Sequence, residues 1–413
     1  MDLPSFDPKN IKLPKSTAEI DKIFDELKLI ARSKPDYQVI KKAYFDKVCI
    51  LPIYTIKVNA DELSELFIYR SRSCEQIDIK KINNISEFGA PPINKDCGVG
   101  RANWRCRNVF YGSDCIETSY LESKNNSTEG EFYISRWSFN LGKLSDYIPI
   151  DVRVLLKEDL PSSNPLHKIA KSVSFYIEKS FHEFDFEQKE IIKYIHEILC
   201  ERFLSANKID YPVTAFIADY QLFNSSNSDD VVYFPILIYP SIGNGYRSCN
   251  YAIHPRFVYN YMNLDRVVHF KVEQKGDNGF EYKLIKLAKR ISPSTIQWYH
   301  LNPNIDKATW LIQTVMCGVT ERILYQFDGK DNEFEIEDLD ESFPKMVNQY
   351  LFTNKNSIME SITIPNMDFK DTLSLTHKFS LIGKDKSTDP IKCIRLSVTV
   401  LIQIPVEYSP IMN

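Results

Sequence analysis

Residues 109–122 read VFYGSDCIETSYLE and combine a strand pattern with polar and acidic residues. It opens with an apolar and aromatic run typical of a strand, is punctuated at Gly112-Ser113, and continues through Glu117-Thr118 to Glu122. Similar short runs lie on either side, so the middle of the chain is predicted to be rich in strands. They are LPIYTIKV (51–58), LFIYRSR (66–72) and GEFYISRW (130–137).

Helices are predicted before and after these strands. Residues 16–19, STAE, fit a capping box and open an apolar pattern of helical spacing, and a second helix is expected over 36–48. A long helix is predicted over 183–205, where apolar residues fall on one broad face. VTAFIADY (213–220) and VVYFPILIYP (231–240) are predicted to be further strands.

The last third of the chain is also predicted to be β-rich. DTLSLTHKFSLIG (371–383) and CIRLSVTVLIQIPV (393–406) are expected to form a strand pair, and a hairpin is expected to turn at 276–279. The fold class is therefore α+β.

The composition is that of an ordinary globular protein, with 43% apolar and 26% charged residues. A formal net charge of −4 argues against general attraction to nucleic acid. The nine cysteines include no CxxC pair, so Cys97, Cys106 and Cys115 are interpreted as free thiols in a reducing compartment rather than as zinc ligands. No apolar leader or membrane span is recognisable, so we expect a cytoplasmic protein without membrane contact.

Four short segments carry the candidate chemistry, and no Walker loop, GxGxxG, HExxH or GxSxG motif accompanies them. In chain order they are Tyr69-Arg70-Ser71-Arg72, then Pro91-Pro92 with Gly100-Arg101-Ala102-Asn103, then Phe110-Tyr111 leading to Glu117-Thr118 and Glu122, and last Tyr239-Pro240-Ser241 with Asn250.

Taken in this order, residues 66–260 resemble the RES family, NAD⁺-consuming toxins named for an Arg, a Glu and a Ser. The resemblance implies an ADP-ribosyltransferase-like mixed-sheet core over 51–275. It leaves an N-terminal helical segment (1–50), an insertion around 123–180 and a β-rich C-terminal region (276–413) outside the pattern. Gly112-Ser113 departs mildly from the family, which usually has a larger residue and Ala there.

The resemblance and the chemistry of NAD⁺ together assign roles to seven residues. Cleavage of the nicotinamide–ribose bond passes through an oxocarbenium-like transition state, which a fixed carboxylate stabilises; Glu122 is the candidate. Arginine suits a pyrophosphate better than lysine does. The remaining candidates are Arg70 and Ser241 as catalytic residues, and Arg72, Arg101, Tyr111 and Asn250 as substrate-binding residues, with Tyr111 placed to stack on nicotinamide.

The implied function is NAD⁺ degradation, by hydrolysis or phosphorolysis, in a toxin or antiphage effector. No metal or further cofactor is expected, and NAD⁺ and NADP⁺ are not distinguished. The implied partners are inorganic phosphate, an antitoxin or regulatory protein, and further copies of the chain. Two alternatives stay open: an ADP-ribosyltransferase acting on a protein or nucleic acid, and a binding module that has lost catalysis. We also expect residues 1–50 or 275–413 to restrain or assemble the enzyme in cis.

Overall fold

The computed structural model describes residues 11–33, 36–92, 95–123, 130–145, 148–205, 207–223, 232, 234–275, 279–304, 307, 309–321, 333–335, 353–354, 372–384 and 392–411. Helices and strands are mixed along the chain, which confirms the α+β class. The helices are α1 Thr17–Ser33, α2 Tyr37–Phe45, α3 Ala60–Ser64, α4 Ile116–Ser123, α5 Leu141–Leu144, α6 His167–Ala170, α7 Val173–Ser180, α8 Phe186–Phe203, α9 Tyr211–Phe223 and α10 Pro255–Tyr261.

The strands confirm most of the sequence predictions. They are β1 Tyr54–Val58, β2 Phe67–Ser73, β3 Phe110–Ser113, β4 Gly130–Phe139, β5 Ile150–Val154, β6 Ile236–Pro240, β7 Cys249–Ile253, β8 Met262–Lys275, β9 Gly279–Arg290, β10 Ile296–Pro303, β11 Thr309–Glu321, β12 Glu333–Glu335, β13 Thr372–Lys384 and β14 Lys392–Pro410.

The chain divides into two compact units. The first comprises Met1–Asn126, Tyr133–Val267 and Arg290–Ile296, and the second Ser127–Phe132, Val268–Lys289 and Gln297–Asn413. This division follows spatial contacts, so the boundaries inferred from the family resemblance at 50 and 275 and the insertion around 123–180 stay predictions.

The first unit is built on a mixed sheet with the strand order β1-β5-β6-β7-β3-β2-β4. The β5–β6 pair is parallel, and the β1–β5, β6–β7, β3–β7 and β2–β3 pairs are antiparallel. Every residue of β6 and β7 is buried, as expected for central strands. Because β2, β3 and β7 are neighbours, segments separated by more than a hundred residues meet in the middle of this sheet.

The second unit contains the predicted C-terminal strand pair. β13 and β14 are antiparallel neighbours from Thr372↔Pro405 to Lys384↔Cys393, and β11 also pairs with β14. β8 and β9 flank the predicted hairpin, whose turn at 276–278 lies outside the described residues.

One strand prediction is wrong. Residues 213–220 belong to α9, and residues from Val213 to Asp219 are buried. An apolar run that is buried on all sides has no amphipathic period, so its pattern does not separate helix from strand. The predicted helices are confirmed as α1, α2 and α8, and Asp185 caps α8 through its bond to the Gln188 amide.

The two N-terminal helices belong to the hydrophobic core of the first unit. Phe24 on α1 and Tyr44 on α2 are almost fully buried, and the rings of Tyr44 and Phe45 contact Phe216 on α9. Within the described residues, no helix is both long and apolar enough to cross a membrane.

Candidate active site

A pocket of about 310 Å³ opens in the first unit where β2, β3, β7 and α4 meet. Its charged lining consists of three arginines and one carboxylate, and the rest is polar, aromatic or glycine. Six of the seven candidate residues line it, and the seventh, Ser241, is bonded to one of them. The six are Arg70, Arg72, Arg101, Tyr111, Glu122 and Asn250.

Glu122 is held by donors from two other segments. Its Oε1 accepts hydrogen bonds from Ser241 Oγ at 2.5 Å and Asn250 Nδ2 at 2.9 Å, and from the Gly243 amide at 3.4 Å. The other oxygen, Oε2, accepts no hydrogen bond from the part of the chain that the structure describes. The carboxylate is thus fixed through one oxygen, and the exposed side chain lines the pocket.

The loop between β6 and β7 supplies two of these donors in a fixed geometry. The Ser241 amide donates to Ser248 O at 2.9 Å, and the Tyr246 amide donates to Ser241 O at 2.8 Å. Gly245 and Tyr246 have φ angles of 67° and 64°, the left-handed conformation that closes such a tight loop. Ser241 itself is fully buried. The hydroxyl is therefore positioned before any ligand binds.

A cross-strand contact orients the third donor. Ser113 on β3 lies opposite Asn250 on β7, and Ser113 Oγ donates to Asn250 Oδ1 at 2.8 Å. With its carbonyl oxygen occupied, the amide group turns its Nδ2 toward Glu122. Both residues are buried, so this pair is part of the rigid sheet.

Arg70 and Arg72 lie on the same face of β2, two residues apart. Arg70 donates from one terminal nitrogen to Tyr111 O at 2.9 Å, while its buried Nε has no partner among the described residues. Burial, followed by repulsion from Arg72, lowers the pKa of Arg70 to about 10, so it stays charged near neutral pH. Arg72 donates to the carbonyl oxygens of Glu87 and Gln76, and burial lowers its pKa.

Arg101 has few bonds within the described structure. Its one hydrogen bond is a long one to Ser205 O at 3.4 Å, and its buried Nε has no partner in the described ranges. Burial alone would lower its pKa, but Tyr239, Tyr211 and Glu122 together raise it. Its guanidinium carbon lies 5.6 Å from the centre of the Tyr211 ring. Of the three arginines, Arg101 is the least engaged by protein acceptors and the best placed to bind an anion.

Tyr111 joins the pocket to the loop that carries Arg101. Its hydroxyl accepts from the Ala102 amide at 2.7 Å and donates to Asn103 Oδ1 at 3.0 Å. A Cβ at Gly100 would lie 2.3 Å from that Asn103 oxygen, so only glycine permits the contact. Burial raises the pKa of Tyr111. The hydroxyl is fully used in this loop, and the half-buried Tyr111 side chain lines the pocket.

Several lining residues were not predicted as site residues. Tyr239 and Ser113 stand within recognised segments but were assigned no role, and Tyr211 lies outside all of them. Tyr211 reaches the pocket from the start of α9, and the sequence of this helix suggests a strand. The predicted secondary structure therefore does not indicate Tyr211 as a site residue.

No protein-family model matches this chain, and no curated protein matches its sequence.

Proposed function

We propose that this protein consumes NAD⁺ by cleaving the nicotinamide–ribose bond, as a RES-type enzyme with an ADP-ribosyltransferase-like core. The observation that carries the proposal is the fixed carboxylate of Glu122. It is held by Ser241 and Asn250 in a pocket that also contains three arginines. The developing positive charge of an oxocarbenium-like transition state is stabilised by a carboxylate that needs no reorganisation.

The charge balance of the pocket favours an anionic ligand. Three arginines and one carboxylate line the pocket, and two of the arginines, Arg70 and Arg101, have a buried nitrogen without a partner in the described residues. A pyrophosphate carries two negative charges and accepts paired hydrogen bonds, which suits these groups. A neutral or cationic substrate would leave the arginines uncompensated.

The size of the pocket supports partial enclosure of a dinucleotide. About 310 Å³ is near the lower end of the range for small-molecule sites, roughly 300–1,000 Å³. The reacting half of NAD⁺ fits such a volume, and the remainder would extend along the rim. Ser241 acts as an orienting donor for Glu122 in this scheme and is not the nucleophile.

The first experiment measures NAD⁺ consumption by the purified full-length chain, with products separated by chromatography. Wild-type protein is compared with Glu122→Gln, which keeps the side-chain shape and removes its charge. Glu117→Gln is the matched control, because Glu117 is an exposed carboxylate on the same helix and does not line the pocket. Loss of NAD⁺ with release of nicotinamide, abolished in Glu122→Gln only, supports the proposal.

The second product identifies the acceptor. Free ADP-ribose in phosphate-free buffer indicates water, and a phosphorylated ADP-ribose formed only with added phosphate indicates phosphorolysis. Radiolabel transferred from NAD⁺ to protein or nucleic acid would identify a transferase. Intact NAD⁺ after incubation with phosphate and candidate acceptors would favour a binding module.

The biological consequence of such an activity is growth arrest by NAD⁺ depletion in the cytoplasm, with an antitoxin or regulatory partner to restrain it. Expression of wild-type protein should then lower cellular NAD⁺ and stop growth, whereas Glu122→Gln should do neither at equal expression. Growth arrest by both forms would show that toxicity does not come from NAD⁺ cleavage.

A further inference from the structure

Tyr211 is an aromatic residue of the pocket that lies outside the four segments. It is the first residue of α9 and lines the pocket together with Arg101 and Glu122. Its side chain is half-buried, whereas Tyr239, which also lines the pocket, is 3% exposed. Tyr211 therefore has ring surface available to a ligand.

A buried carboxylate on the neighbouring residue fixes the position of Tyr211. The preceding residue, Asp210, is 4% exposed and lies 3.4 Å from a terminal nitrogen of Arg202 and 4.0 Å from the amine of Lys28. Thr214 Oγ1 also donates to Tyr211 O at 3.2 Å. Helices α1 and α8 thus hold the start of α9 against the pocket, and the Tyr211 ring is presented on a rigid wall.

Arg101 connects this ring to the proposed reaction centre. Arg101 lines the pocket beside both Glu122 and Tyr211, and its guanidinium carbon lies 5.6 Å from the Tyr211 ring centre. In NAD⁺ the pyrophosphate stands between the two nucleosides. If Glu122 faces the nicotinamide ribose and Arg101 binds the pyrophosphate, the group that follows on the far side is the adenosine.

We propose that Tyr211 is a specificity-determining residue whose ring stacks on the adenine of the dinucleotide. The proposal rests on the proposed function for the identity of the ligand. A cationic nicotinamide beside Arg101 would meet like charge, whereas adenine is neutral and stacks well on tyrosine. The Arg101–Tyr211 pair then binds the phosphate and the base of one adenylate unit, and selects NAD⁺ over nicotinamide mononucleotide.

The test compares NAD⁺ with nicotinamide mononucleotide in the full-length protein. Tyr211→Ala should raise KM for NAD⁺ about tenfold with kcat nearly unchanged, because stacking on one base is lost away from the reacting bond. The same variant should leave KM for the mononucleotide within about twofold. Tyr211→Phe keeps the ring and should behave as wild type. Tyr299→Ala, in the second unit, is the control for a tyrosine outside the pocket.

A binding measurement separates this proposal from the proposed function. Isothermal titration calorimetry with ADP-ribose and with ribose 5-phosphate needs no turnover. Weaker binding of ADP-ribose alone in Tyr211→Ala supports adenine stacking even if NAD⁺ is never cleaved. An equal rise in KM for NAD⁺ and for nicotinamide mononucleotide in Tyr211→Ala would overturn it. An equal loss of affinity for ADP-ribose and for ribose 5-phosphate would also overturn it, as would an effect in Tyr211→Phe as large as that in Tyr211→Ala. Absence of ADP-ribose binding by wild-type protein would also overturn it.

Discussion

Ser241 donates a hydrogen bond of 2.5 Å to Glu122, joining two residues that are 119 positions apart in the chain. The serine directly follows the central strand β6, and the glutamate lies in the last turn of α4. Neither side chain is positioned by its own element alone. The carboxylate is oriented because Ser241 and Gly243 of the β6–β7 loop and Asn250 of β7 all donate to the same oxygen.

Removal of the Ser241 hydroxyl should impair catalysis more than folding. Ser241→Ala leaves Glu122 with the Asn250 and Gly243 donors, so we expect kcat to fall about 10- to 100-fold, less than for loss of the carboxylate itself. The matched control is Ser174→Ala, which removes a similar serine–glutamate bond, 2.7 Å to Glu158, on the surface. Steady-state kinetics beside thermal unfolding checks this. Equal kcat in wild type and Ser241→Ala would remove Ser241 from the proposed role.

Arg72 and Arg101 should respond differently to replacement by lysine. Arg72 donates to two carbonyl oxygens, so Arg72→Lys should lower the free energy of unfolding by about 1–2 kcal/mol. Arg101 makes one long bond of 3.4 Å, so Arg101→Lys should leave stability nearly unchanged and weaken NAD⁺ binding. Urea unfolding and ligand titration of both variants separate the two effects. A loss of stability in Arg101→Lys together with unchanged stability in Arg72→Lys would contradict the roles deduced from these contacts.

Gly112 should not tolerate a side chain. A Cβ there would lie 2.3 Å from Ile68 Cγ2 and 3.1 Å from Tyr69 O, inside the β2–β3 pair. Gly112→Ala should destabilise the protein by about 1–3 kcal/mol through overpacking. Gly142→Ala is the control, because its nearest neighbour would be Asn140 Oδ1 at 3.7 Å. Denaturant unfolding of both variants is the measurement, and equal stability of the two would show that β2 and β3 are less closely packed.

Asp114 should make stability depend on pH. Burial raises its pKa to about 6, while its hydrogen bond from the Cys249 amide acts in the opposite direction. An acid with a raised pKa in the folded state contributes stability that is present below its unfolded pKa and lost as pH rises through the folded pKa. Asn keeps an acceptor for the Cys249 amide and does not ionise.

The stability of Asp114→Asn relative to wild type should therefore rise by up to about 3 kcal/mol between roughly pH 4 and pH 7. Both proteins contain all the other titratable groups, so the contributions of those groups cancel in the difference between the two free energies of unfolding. Urea unfolding at several pH values measures it. A difference that is constant, or that falls as pH rises, would contradict the raised pKa.

The sequence predicts the strands around the site well because each is short, apolar and punctuated. β2, β3 and β6 fall where LFIYRSR, VFYGS and VVYFPILIYP predict them. The prediction fails at α9, where burial on every side removes the polar face that would reveal a helix. The same failure hides Tyr211, since a residue at a helix start cannot be placed when the helix is not foreseen.

The candidate residues could be selected from the sequence, but the bonds between them could not. The order of the four segments indicates Glu122, Ser241 and Asn250 as candidate site residues. In the structure, Ser241 and Asn250 both donate hydrogen bonds to Glu122. Strand register and loop path determine that Ser113 orients Asn250. They also determine that Arg72 donates to two carbonyl oxygens, whereas Arg101 makes one long bond to a carbonyl oxygen. Such relations arise from tertiary packing and leave no periodic signal.

The most direct test of the central claim is nicotinamide release from NAD⁺ by the purified chain, measured beside Glu122→Gln and Glu117→Gln. We expect release by wild type and by Glu117→Gln, and a rate at least about 100-fold lower in Glu122→Gln, because the fixed carboxylate that stabilises the transition state is gone. Release that persists in Glu122→Gln at the wild-type rate would contradict the assignment of this site.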